Sequence, residues 1–169
     1  MPARYPLLWL FTEERLGDGL WTALRRLPPG SGVVFRHYSL SRRERLRLFV
    51  AVRRRARARG LVVVSARKLL PGADGVHGPG LGRGLRTWPA HDRREAIAGM
   101  RAGAALLFVS PVFLTRSHPG AAALGTARAG RIGRGLGVGL IALGGMNARR
   151  WRVARGAGFD GWAAIDGWL

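Results

Sequence analysis

Six short runs of this chain are apolar rather than alternating, with Asp160 in the last as the one charged residue among them, and each is closed by turn residues. They are Leu7-Leu8-Trp9-Leu10-Phe11, Val33-Val34-Phe35, Leu61-Val62-Val63-Val64, Ala104–Val109, Val138–Leu143 and Phe159–Ile165. A strand wetted on one face alternates apolar and polar residues. A run that is apolar throughout suits a strand buried on both faces, the kind that builds parallel sheets. Two weaker candidates, Gly75-Val76-His77 and Leu85-Arg86-Thr87-Trp88, lie between the third run and the fourth. Helical spacing separates several of the runs. Leu20–Leu27 stops at Pro28-Pro29-Gly30, where no helix can continue. Ser41–Arg59 opens on Ser41 with Glu44 three residues on, a capping box, and ends at Gly60. His91–Gly103, Ala121–Gly135 and Asn147–Gly156 are the remaining helical segments. Strand and helix alternating in this way imply a parallel sheet with right-handed crossovers. Eight such strands point to a closed (β/α)8 TIM barrel.

Length limits that barrel. The fold usually takes ~250 residues and rarely fewer than ~200, and this chain has 169. The expectation is one barrel domain, 1–169, pared down with two or three helices missing or shortened. The Gly-rich link Gly78–Gly84 leaves no room for a helix, and the sequence stops at Leu169, shortly after the last run. An open doubly wound sheet is the rival architecture. Missing helices would bare apolar barrel wall, which favours a homodimer. The longest apolar stretches fall short of the ~20 residues a membrane helix needs, and the first residues lack the pattern of a secretory signal. No membrane contact and a cytoplasmic location are therefore expected. Cysteine is absent, which removes disulfides, thiolate metal sites and thiol nucleophiles.

The formal net charge is +20, from 29 basic residues of which Lys68 is the only lysine. A basic excess draws polyanions. Here nine arginines fall on Ser41–Arg59, whose apolar stripe through Leu46, Phe49, Val50 and Val52 reads as the buried face. No aromatic residue apart from Phe49 is interleaved there for base stacking. Nucleic acid is the least favoured partner, and the arginines read as a solvated face. Arg36, Arg67 and Arg116 stand apart, because they follow strands.

In a parallel barrel the site lies where the strands end. Those ends hold Thr12-Glu13-Glu14, Arg36-His37-Tyr38, Ser65-Ala66-Arg67, His77, His91, Ser110–Gly120, Gly144-Gly145 and Asp166. All four histidines are there, with few carboxylates. Three parts suit an anion. Gly144-Gly145 lets backbone N–H groups approach a phosphate ahead of the Asn147 helix. The loop Thr115-Arg116-Ser117-His118-Pro119-Gly120 gathers two hydroxyls, a guanidinium and an imidazole. Arg36 closes a buried strand, where a guanidinium needs a partner.

Val109-Ser110-Pro111-Val112-Phe113-Leu114-Thr115-Arg116-Ser117-His118 and Ile141-Ala142-Leu143-Gly144-Gly145-Met146 resemble the signature loops of the thiamine phosphate synthase and thiazole tautomerase family. Asp74-Gly75-Val76-His77, Ala90-His91 and Gly156–Gly161 resemble further family segments in the same order. The resemblance implies a TIM barrel and a transferase of thiamine biosynthesis that couples a pyrimidine pyrophosphate to a thiazole phosphate, with Mg²⁺ on the leaving pyrophosphate. It places catalytic residues at Arg36 and His118, and substrate-binding residues at His37, Ser65, His77 and His91. Phosphate-binding residues fall at Thr115, Arg116, Ser117, Gly144, Gly145 and Ile165. The family's metal carboxylates fall on Ser65-Ala66 and on Gly78-Pro79-Gly80, so no metal ligand carries over, and Asp166 stands beside the phosphate site where an acid would repel the ligand. The chain is thus expected to make thiamine phosphate or at least to bind such a phosphorylated heterocycle. A catalytically silent ligand-binding or regulatory barrel is the alternative.

Overall fold

Each of the six apolar runs and both weaker candidates holds a strand. In the computed structural model, which describes residues 5–115, 120 and 122–169, these are β1 (Leu8–Phe11), β2 (Gly32–Phe35), β3 (Val62–Ala66), β4 (Gly75–His77), β5 (Leu85–Ala90), β6 (Leu106–Val109), β7 (Gly139–Ala142) and β8 (Gly161–Ala164). Every strand pairs in parallel with the next, and β8 returns to β1 with Leu8 opposite Trp162 and Trp9 opposite Ala163. The sheet is a closed barrel, and the open doubly wound sheet is excluded. Five α-helices accompany it among the described residues: α1 (Gly19–Arg26), α2 (Arg42–Ala58), α3 (Arg93–Arg101), α4 (Thr126–Ile132) and α5 (Ala148–Ala154). Three of their starts follow the expected capping chemistry. Ser41 and Glu44 form a reciprocal capping box at α2, while Asp92 and Asn147 each accept the N–H three residues on. Such caps satisfy backbone donors that a helix otherwise leaves orphaned.

Aromatic side chains fill the barrel. Trp9 and Phe108 meet edge to face at 5.3 Å, and Phe11 packs on Phe108 at 4.9 Å. The Trp9 ring occupies the volume that a side chain at Gly32 would need. A glycine on β2 is thus the complement of a tryptophan on β1, and the interior is packed rather than hollow.

Two connections give up their helix. Between β3 and β4, Leu70 and Ala73 pack on the core, and the Arg53 guanidinium of α2 lies against Gly72. Between β4 and β5, Arg86 reaches back along the glycine-rich link. Its Nη1 donates to the carbonyls of Gly78 (3.2 Å) and Gly80 (3.0 Å), and its Nη2 to that of Gly82 (3.4 Å). One guanidinium thereby organises a link too short for a helix. With these covers in place Val63 and Val76 are buried within the single chain. The two stretches of wall without a helix are thus covered within the chain. The last strand leads into a 3-10 turn, Asp166–Trp168, with Trp168 stacked on Trp162 at 4.5 Å and its indole N–H bonded to the Trp9 carbonyl.

One pair of contacts occurs twice. Ahead of β4, Asp74 accepts the Val63 N–H at 2.8 Å, and a Cβ on Gly75 would collide with the Leu85 carbonyl. Ahead of β8, Asp160 accepts the Leu140 N–H at 2.8 Å, and a Cβ on Gly161 would collide with the Leu7 carbonyl. In both Asp-Gly pairs the acid accepts the N–H of a strand's second residue, and the glycine lets the next strand approach. These acids serve the base of the barrel, away from its mouth.

Candidate functional site

The strand ends surround one cavity of about 1130 Å³. Phe11, His77, Pro111, Leu143 and Met146 contribute apolar surface to it, and Arg15, Arg36, Arg67, Arg149 and Arg150 contribute charge. Among the described residues Asp166 is the one carboxylate in the lining. A mouth so composed favours an anionic ligand with a flat apolar body.

Gly144 and Gly145 are adjacent residues with positive φ, +93° and +60°. A Cβ on Gly144 would lie 2.7 Å from the Pro111 Cα, and one on Gly145 would collide with the Leu114 carbonyl. The turn is laced to the loop after β6 by Val112 N–H to the Leu143 carbonyl (2.9 Å) and Phe113 N–H to the Gly144 carbonyl (3.1 Å). Arg150, on the first turn of α5, bonds the Gly145 carbonyl and lies over the Phe113 ring at 5.0 Å. The carbonyls of the turn are therefore used inside the protein. Its N–H groups have no protein partner among the described residues, so they are available to an anion. Ile165, at the end of β8, and Thr115 line the same cavity.

A charged chain crosses the other rim. Arg36 donates from Nη2 to Glu13 (2.7 Å) and from Nε to the Thr12 carbonyl (3.2 Å). Glu13 also pairs with Arg15, and Arg15 reaches both oxygens of Asp166 at 2.8 Å. Asp166, expected to repel phosphate, is thus answered by Arg15, whose Nη1 is shared between the two carboxylate oxygens. Burial draws the Arg36 guanidinium below its ordinary pKa, and it remains a cation, as arginine does in proteins.

The histidines divide. His77 is buried between the Phe11 and Phe108 edges, and its Nδ1 meets the Thr87 hydroxyl at 2.9 Å. Burial, aided by the Arg36 charge, pushes its pKa down to about 3, so it faces the cavity as a neutral imidazole. His37 is buried outside the lining, stacked on Phe35, with Nδ1 3.0 Å from the Thr12 hydroxyl and burial lowering its pKa. His91 lines the cavity and pairs with Glu95 at 2.8 Å. Ser65 is also outside the lining. Its hydroxyl donates to the Lys68 carbonyl and accepts the Leu70 N–H, so it builds the β3–β4 turn.

The structure thus brings Arg36, His77, His91, Thr115, Gly144, Gly145 and Ile165 to one cavity and leaves His37 and Ser65 outside it. Arg116, Ser117 and His118 lie outside the described residues. Arg15, Arg149 and Arg150 were not singled out from the sequence. Arg150 had a legible signal, since it sits three residues after the Asn147 cap on the turn that follows Gly-Gly.

A hard cation such as Mg²⁺ needs carboxylate and carbonyl oxygens. At the end of β3 the Ser65 hydroxyl is spent on a turn, and after β4 stands Gly78-Pro79-Gly80. Asp166 is bound to Arg15 on the far side, and no group of three His, Asp or Glu residues that could hold a metal ion occurs among the described residues. The described residues do not fit the ion. No helix among the described residues is long and apolar enough to cross a membrane.

Residues 87–167, just under half of the chain, match the family model described as thiamine monophosphate synthase. Among solved structures, thiamine phosphate pyrophosphorylase from Pyrococcus furiosus superposes with a TM-score of 0.79 at 20% identity, over 94% of this chain and 84% of that one. A structure described as native KDPGal gives 0.65 at 14% identity, over 96% and 84%. The YdjI aldolase from Escherichia coli K12 gives 0.57 at 11% identity, over 95% and 75%. These likenesses show the barrel fold. No curated protein matches the chain.

Proposed function

We propose that this chain, which matches the thiamine monophosphate synthase model over residues 87–167, is thiamine phosphate synthase-like and binds a small phosphorylated heterocycle of the thiazole phosphate kind at the barrel mouth. The observation that carries this reading is the Gly144-Gly145 turn, with two positive φ values, packed carbonyl faces and unpaired N–H groups at the rim of the cavity. The phosphate would be held by those N–H groups beside Ile165 and Thr115. Arg150 fixes the turn through the Gly145 carbonyl, and Arg149 adds charge at the rim. A flat ring would lie against Phe11, Pro111, Leu143 and Met146, with neutral His77 as its polar neighbour.

The test is calorimetric titration with thiazole phosphate and with the corresponding thiazole alcohol. The phosphate ester is expected to bind and to raise the melting temperature, and the alcohol to bind at least about tenfold more weakly, since it offers nothing to the turn. Equal binding of the two, or none, would sink the reading. Family likeness extends the proposal to coupling with a pyrimidine pyrophosphate, Arg36 and His118 being the candidate catalytic residues. The missing metal carboxylates favour the second reading, a barrel that binds without turnover. Thiamine phosphate formed from both substrates would establish coupling, and ligand binding with no product would establish the silent barrel.

A further inference from the structure

At the ends of β3 and β4 the mouth carries a charge that the protein does not answer. Arg67 follows β3, is exposed, and lines the cavity. Its guanidinium lies 4.1 Å from the centre of the Tyr38 ring, and among the described residues it has no carboxylate partner. The ring holds the planar fork in place before any ligand arrives, which lowers the entropy lost on binding.

The backbone beneath it is strained and clamped. Arg67 has φ +68°, a left-handed conformation that costs a residue with a Cβ on the order of 1–2 kcal/mol. Its N–H donates to the His77 carbonyl at 3.1 Å. On the other side, Gly80 packs so closely that a Cβ there would collide with the Arg67 carbonyl. The glycine-rich link, held by Arg86, therefore keeps Arg67 in a conformation it would not choose. Arg36 lines the same cavity from the end of β2. Its Nε and Nη2 are committed to Thr12 and Glu13, and its Nη1 has no partner among the described residues.

We propose that Arg67, assisted by Arg36, forms a metal-free cradle for a diphosphate at the end of the mouth where carboxylate-held Mg²⁺ would otherwise sit. The proposal rests on the reading of the cavity as a site for phosphorylated heterocycles and names the residue that would take the second, diphosphate-bearing ligand. A guanidinium grips phosphate oxygens with two parallel N–H bonds, a geometry no lysine offers. Glu13 already answers part of the Arg36 charge, so Arg67 carries the larger share.

Inorganic pyrophosphate is the probe, titrated into the whole protein by calorimetry in EDTA and again with excess Mg²⁺. Binding is expected in EDTA, with no gain on adding Mg²⁺, because the ion neutralises the charge that the arginines recognise. Arg67→Asn tolerates the left-handed backbone and is expected to weaken pyrophosphate at least about tenfold. It should leave thiazole phosphate, held across the mouth, within about twofold. Binding that requires Mg²⁺, or is indifferent to Arg67→Asn, overturns the proposal. Should Arg67→Asn lose its fold by circular dichroism, Arg67→Gly removes the same charge and relieves the strain, and the wild-type comparison in EDTA decides independently. Pyrophosphate bound without metal and lost with Arg67, beside no binding of thiazole phosphate, would uphold the cradle and refute the heterocycle reading.

Discussion

Gly145 shows how narrowly single residues are specified at the mouth. It combines φ +60° with a Cβ direction blocked by the Leu114 carbonyl, so Gly145→Ala carries roughly 1–2 kcal/mol of backbone strain plus a collision. The expected result is a displaced turn and about a tenfold loss of thiazole phosphate affinity, read by calorimetry, with the barrel's far-ultraviolet circular dichroism unchanged. His77 gives a second outcome at this scale. Unfolded, it titrates near 6.5, and folded, burial and then the Arg36 charge hold it at about 3. Between those values the unfolded chain takes up a proton that the folded chain refuses. Stability therefore falls as pH drops from about 6.5 towards 3, by up to about 1.4 kcal/mol per unit for this one group, and is insensitive to it above 6.5. Urea denaturation across that range should show the slope, and His77→Gln should flatten it, leaving the part due to His37, whose pKa burial shifts in the same direction. An unchanged slope would show that His77 is not the group responsible.

At the scale of elements, Arg86 does work that a helix does elsewhere. Removing its guanidinium leaves the carbonyls of Gly78, Gly80 and Gly82 without their common donor. Arg86→Met should make residues 78–84 the first site of limited proteolysis while β4 and β5 stay paired; cleavage no faster than in the wild type would contradict that role. The elements themselves were largely legible. Apolar runs marked the strands because these are buried on both faces, and Ser41, Asp92 and Asn147 marked helix starts because caps are local chemistry. Even the weak Gly75–His77 strand has the bounds its residues suggested. What the sequence hid is long-range. Nothing near Asp166 in the chain announces Arg15, 151 residues away, as the partner that answers its charge. Ser65 looked like a ligand because it ends a strand, and only the fold shows its hydroxyl spent on Lys68 and Leu70. His37 likewise ends a strand yet lies outside the cavity lining, since which neighbour covers a side chain is decided by packing.

For the whole molecule, guanidinium groups stand in at the connections that hold no helix. Arg53 and Arg86 cover the two stretches of wall that lack one, so part of the large positive charge is structural. A homodimer stays a proposal, to be checked by sedimentation. The two Asp-Gly pairs bear on the barrel as a closed object. Asp74→Ala and Asp160→Ala each strand a buried strand N–H, at a cost of about 1–3 kcal/mol apiece. The pairs lie four strands apart, so the costs should add in the double variant; a clearly smaller sum in chemical denaturation would mean that they are coupled. In each pair the aspartate fastens the fourth strand of a set, β4 or β8, to the third, and the glycine seats it on the first strand of the other set. The barrel is thus a ring of two equal arcs, shut by two copies of one joint, and loosening either copy turns the other into a hinge.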